Sequence, residues 1–181
     1  MSTLVFPDTT VVRNFALLHR MDLLHELVVG RAAWCATVAS ECHDQARGDG
    51  LEDMALASTI FGSPWYPHDA EHIDVMVLRE ELAAPGDGPK QHLGEAETIV
   101  LASTRSPGAI FVTDDRSAAA AATARGLRAV KTADLLRIAI RAAKLEADAG
   151  WGYVQTLRSH GRYLSREVWS SRGSFDMWLQ G

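Results

Sequence analysis

Gly94-Glu95-Ala96-Glu97-Thr98-Ile99-Val100-Leu101-Ala102 sets two carboxylates at the mouth of an otherwise apolar stretch. Leu93, Ala96, Ile99 and Val100 recur at helical spacing, which predicts a helix laid against a sheet with Glu95 and Glu97 near its first turn. Acids suit a helix N-terminus, where they complement the dipole and the free N–H groups, and that chemistry alone would account for them. Their company asks for more. Asp8 follows the apolar run Leu4-Val5-Phe6-Pro7, and Asp114-Asp115 follow the run from Ala109 to Thr113, so three acidic positions stand at element ends.

Working outward in both directions, short apolar runs alternate with helical patterns. Strands are expected over residues 4–6, 32–36, 110–112 and 127–130. Helices are expected after Asp8, from Met21 to the stop at Gly30, after Thr37 through Val38, Glu41, Cys42 and Gln45, around 51–60, from Ala70 to Leu82, over 116–125 and over 133–147. Such alternation predicts an α/β fold with a mainly parallel sheet. In these sheets functional groups gather at the carboxyl ends of the strands, the position of Asp8 and of Asp114-Asp115.

A chain of 181 residues is long enough to bury a full core without staples. No apolar run approaches the roughly 20 residues of a membrane span. Met1 to Leu4 leads straight into Pro7-Asp8 rather than into the apolar core of a secretory signal, so the expected location is the cytoplasm. Cys35 and Cys42 lack metal-ligand spacing and read as reduced, packed side chains. The net charge of −5 argues against a protein that holds nucleic acid by bulk electrostatics alone. The tail differs: from Trp151 onward Arg158, Arg162, Arg166 and Arg172 outnumber Glu167 and Asp176. Arg158, Arg162 and Arg166 are spaced by four, a stripe that on one helix would track phosphates, although Gly161 interrupts it.

Acids from Asp8, Glu41, the Glu95-Glu97 pair and Asp114-Asp115 would repel one another at one sheet edge unless a hard divalent ion neutralised them. Mg2+ or Mn2+ is therefore expected, since both take oxygen ligands. His68 and His72 share a helix face by spacing, but no third ligand stands at a telling distance.

The acidic motifs resemble those of the PIN-domain ribonucleases: Asp8-Thr9-Thr10, Glu41 in Val38-Ala39-Ser40-Glu41, Glu97 in Glu97-Thr98-Ile99-Val100-Leu101-Ala102, and Thr113-Asp114-Asp115. The chain is similar in particular to the subgroup with a Gly-Glu-x-Glu helix start, many members of which are toxins of VapBC-type toxin–antitoxin pairs. The resemblance implies an α/β/α sandwich with a central, mainly parallel sheet of four to five strands. It implies a nuclease domain over residues 1–147, with C-terminal helices over 148–181 packed on it. It also implies a Mg2+- or Mn2+-dependent endonuclease acting on single-stranded RNA, a homodimer, held by a small antitoxin. Asp8, Glu41, Glu97 and Asp115 would be the catalytic acids, with Asp8, Glu97 and Asp115 on the metal; Thr10, Glu95, Thr113 and Asp114 would support them. Glu97 is preferred over Glu95 because Val100 and Leu101 follow it at i+3 and i+4. Two other readings use the same acids: a haloacid-dehalogenase-like phosphohydrolase, which wants a second acid where this chain has Thr10, and a non-catalytic nucleic-acid-binding protein on the same scaffold.

Overall fold

Strand β1 (Val5–Pro7) is three residues long and buried throughout. In the computed structural model, which describes residues 3–181, it pairs in parallel with β2 (Ile110–Val112), and β2 pairs in parallel with β3 (Arg128–Val130). Phe6 stands opposite Phe111, and Phe111 opposite Ala129. Met1 and Ser2, the start of the stretch read for a leader, lie outside the described residues.

A parallel neighbour needs a crossover, and helices supply it. Between β1 and β2 run α1 (Thr9–Leu17), α2 (Met21–Val28), α3 (Ala36–Gln45), a 3-10 turn over Glu52–Leu56, α4 (Ala57–Phe61), α5 (Asp69–Leu82) and α6 (Leu93–Arg105). Helix α7 (Arg116–Ala124) joins β2 to β3. After β3 come α8 (Thr132–Arg141), α9 (Ala147–Ser159), α10 (Arg166–Trp169) and α11 (Arg172–Gln180).

Side chains alternate across a strand, and here the alternation divides two apolar clusters. Phe6 and Phe111 face a cluster with Val75 and Leu78 of α5, Ile99 and Val100 of α6, and Ala118 and Ala122 of α7. Val5 and Val112 face the opposite cluster, with Val12 and Phe15 of α1, Leu24 of α2 and Leu136 of α8. Val154, Val168 and Phe175 of the C-terminal helices are buried in that second cluster, so α9 to α11 complete the layer rather than ride on it. Among the described residues no helix is long and apolar enough to cross a membrane.

Among the described residues three strands stand where four to five were expected. The stretch 32–36 makes a single parallel bridge, Val5 with Ala32, and then leaves β1 to pair Cys35 with Trp65. Trp34 explains the departure: its ring packs on Phe61 and its indole N–H donates to the Gly62 carbonyl at 2.9 Å, drawing the chain toward that loop. Because α3 opens at Ala36, no length remains for a ladder. The helix expected over 133–147 also divides, ending at Arg141 before Ala143 takes a left-handed φ of 55°.

Candidate active site

Asp8 leaves the end of β1 at the N-cap position of α1, yet its side chain makes no capping bond there. Its carboxylate accepts a hydrogen bond from the Thr10 hydroxyl and is 5% exposed. Burial pushes Asp8 above the usual carboxylate range, Thr10 opposes the shift, and the Asp114 charge adds to it.

Asp114 and Asp115 leave the end of β2 and part ways. Asp114 accepts from the Thr132 N–H at 2.9 Å, the Thr132 hydroxyl at 2.7 Å and the Asn14 amide at 2.9 Å. Asp115 caps α7 through one oxygen, which accepts from the Ala118 N–H at 2.7 Å. Thr113, fully buried, accepts from the Asp115 N–H at 3.1 Å and so shapes this turn.

The two glutamates of α6 face apart, in the opposite sense to the one expected. Glu97 accepts from the Thr37 N–H at 3.1 Å and the Thr37 hydroxyl at 2.6 Å, so its carboxylate sits on the N-terminal end of α3 and lines neither cleft described below. Glu95 lines both clefts beside Asp8. The sequence expectation set Glu97 with Asp8 and Glu95 to one side; here Glu95 shares the clefts with Asp8 and Glu97 is bonded to Thr37. Val100 and Leu101 do mark a buried face of α6, but Glu97 meets the start of α3 there, not the sheet edge. Burial raises Glu95 to about 7; the Asp8 charge adds to the rise, the His92 imidazole at 2.7 Å opposes it, and Asp115 adds again.

Glu41 accepts from the Thr9 hydroxyl. It is raised by burial, against the pull of Thr9, and further by the charges of Asp8 and Glu97. Gly94 makes room for it: a Cβ there would lie 3.2 Å from a Glu41 carboxylate oxygen and 3.2 Å from a Val38 methyl.

Two clefts open over these acids. The first, about 410 Å³, is lined by Asp8, Thr10, Glu95, Asp114 and Asp115 together with Arg162 and Tyr163. The second, about 400 Å³, carries Asp8, Thr9, Thr10, Glu41 and Glu95 with Arg13 and Lys90. The expected arginine stripe is not a helix face. Helix α9 ends at Ser159, Gly161 takes a φ of 71°, and Arg166 opens α10. Arg158 stacks on Trp169 with its guanidinium carbon 4.7 Å from the ring centre, while Arg162 turns inward and donates to Asn14 at 3.1 Å.

A family model described as a PIN domain matches residues 4–173. The chain belongs to the PIN-domain family. No curated protein and no solved structure matches it significantly. PIN domains are generally nucleases, hydrolases acting on nucleic acid, and typically use divalent metal ions. The donor set of this PIN domain suits such an ion, because Asp8, Glu95 and Asp115 offer only oxygen, and burial holds Asp8 and Glu95 above their ordinary range, with the charge of Asp114 adding at Asp8 and those of Asp8 and Asp115 at Glu95. Among the described residues, as the side chains stand here, no group of three or more His, Cys, Asp or Glu is placed to hold a metal ion. His68 holds the N-cap position of α5, where Glu71 accepts its N–H at 2.8 Å. Cys35 and Cys42 are buried free thiols, and burial pushes Cys35 up to about 12.

Asn14 was not legible as a site residue, although a signal existed. It lies on the apolar face of α1, three residues after Val11 and one before Phe15, and a polar side chain there needs partners. It finds Asp114, Thr132 and Arg162.

Proposed function

We propose that this protein is a Mg2+- or Mn2+-dependent endoribonuclease that cleaves single-stranded RNA, and that it is the toxin of a VapBC-type pair, a homodimer restrained by a small antitoxin. The observation that carries the nuclease reading is the convergence of Asp8, Glu95 and Asp115 on one cleft at the carboxyl ends of parallel strands, with Asp8 and Glu95 both raised by burial and by the charge of a neighbouring acid. The toxin reading rests on the motif resemblance.

Asp8, Glu95 and Asp115 would hold the ion, and Glu41 would reach the same centre from the second cleft. When bound, the ion supplies an activated water and stabilises the leaving oxygen of a phosphodiester. The remaining residues act by placement. Thr10 fixes the Asp8 carboxylate, and His92 orients Glu95. Asp114 holds Asn14, and Asn14 holds Arg162 at the rim, where a guanidinium meets incoming phosphate.

Purified protein stripped with a chelator is expected to leave single-stranded RNA intact, and Mg2+ or Mn2+ to restore cleavage and raise the melting temperature. Asp8→Asn should abolish cleavage with the melting temperature of the metal-free protein kept, because Asp8 makes no capping bond that the fold depends on. Cleavage that survives in excess chelator, or in Asp8→Asn, overturns the reading.

A further inference from the structure

The two clefts have Asp8, Thr10 and Glu95 in common, and their other walls differ. The three common residues therefore form a divide, with a compartment of about 410 Å³ on one side and about 400 Å³ on the other. Each falls in the range of small-ligand pockets, roughly 300–1,000 Å³.

The compartments are furnished differently. On the first side Tyr163 stands 66% exposed at the end of the turn that Gly161 opens. Its ring is braced edge-on by Trp169 at 5.9 Å, and Trp169 is backed by Arg158. An exposed aromatic ring held by a second ring is a surface on which an unpaired base stacks.

On the second side two polar groups have no partner among the described residues: the buried Nε of Arg13 and the buried Oε1 of Gln45. Both residues line the compartment, and Lys90 lies at its wall without an ion pair among the described residues. A buried guanidinium N–H left unbonded beside a free lysine suits an anionic oxygen ligand.

We propose that the acids straddle a single strand. The base of one nucleotide stacks on Tyr163, the phosphate of its neighbour is held by Arg13 and Lys90, and the linkage between them crosses the divide at Asp8 and Glu95. This rests on the nuclease reading above and deepens it, because it makes the preference for single strands a property of Tyr163. A base paired in a duplex is not free to stack there.

The test reads binding apart from cleavage by using the Asp8→Asn protein, which keeps the RNA whole. A fluorescent single-stranded RNA is titrated in Mg2+, with one abasic site walked along it. One position is expected to weaken binding about tenfold. In Asp8→Asn/Tyr163→Ala the intact strand should already bind about tenfold more weakly, and that abasic site should then cost nothing further. Tyr163→Phe should behave as the parent, since the ring is kept. Arg13→Gln and Lys90→Gln should each lower the slope of log affinity against log salt by about 0.7. The stacking side is overturned if no abasic position is silenced by Tyr163→Ala, and the phosphate side if both slopes stay unchanged. Native protein that cleaves no RNA while these binding differences appear would sink the nuclease reading and leave the two subsites standing.

Discussion

Glu95 and Glu97 lie two residues apart on α6, roughly 200° around its axis, and the structure gives them different neighbours. Glu97→Gln is expected to keep metal-dependent cleavage near the native rate and to lower stability by about 1–3 kcal/mol in denaturant titration, because Thr37 loses a charged acceptor at the start of α3. Glu95→Gln should instead remove nearly all cleavage. Greater catalytic damage from Glu97→Gln would reverse the assignment. The raised Glu95 carboxyl also links stability to pH. Its folded value of about 7 lies above the ordinary 4.5, so the native state favours the proton, and the penalty for ionising Glu95 grows as pH rises from about 4.5 through about 7. In chelator at pH above 7, Glu95→Gln should melt higher than the native protein, with the difference closing toward pH 4.5. Adding Mg2+ should raise the native melting temperature and leave that of Glu95→Gln nearly unmoved. A difference that is constant with pH counts against the shift. The sequence marked both glutamates but not their order, since the rotation of α6 is set by what it packs on, and Thr37 was read as the cap of α3 rather than as the partner of Glu97.

Helix α6 approaches α3 closely enough that a methyl group at Gly94 would press on Glu41 and the fully buried Val38, which would have to give by a few tenths of an ångström. Alanine would ordinarily favour a helix over glycine by about 1 kcal/mol. Here Gly94→Ala should destabilise by about 1 kcal/mol or more, because Val38 cannot retreat into a filled core, and should reduce cleavage by displacing Glu41. A variant that is more stable and equally active would show that α6 can lift without consequence. Elements themselves were the most legible part of the chain. The strands at 4–6, 110–112 and 127–130 and the helices of α5, α6 and α7 follow from periodicity and stop signals within a residue or two. What escaped was decided by partners far along the chain. Trp34 turned an expected strand toward Phe61, Thr132 bonded Asp114 across the chain, and Gly161 sent Arg162 to Asn14 and Arg158 to Trp169.

The C-terminal helices share the core that α1, α2 and α8 bury against Val5 and Val112. Val154, Leu157, Val168 and Phe175 are each at most 1% exposed, and full burial of such a side chain contributes on the order of 1.5–3 kcal/mol, against a total stability of roughly 5–15 kcal/mol. A chain ending at Ala147 is therefore expected to lack a cooperative melting transition. A soluble product with native-like circular dichroism and a sharp transition would make α9 to α11 dispensable to the fold. The same interdependence has a consequence in time. β1 is made early, but its ladder partner β2 begins only at Ile110, and the acids of the centre are spread from Asp8 through Glu95 to Asp115. At a synthesis rate of roughly 5–20 residues per second, several seconds pass between the emergence of Asp8 and that of Asp115. Until the end of that interval the growing chain holds Asp8 without Asp115, so if it is the nuclease proposed above, a nascent polypeptide tethered among the RNA of its own ribosome carries an incomplete centre until well past the middle of its translation.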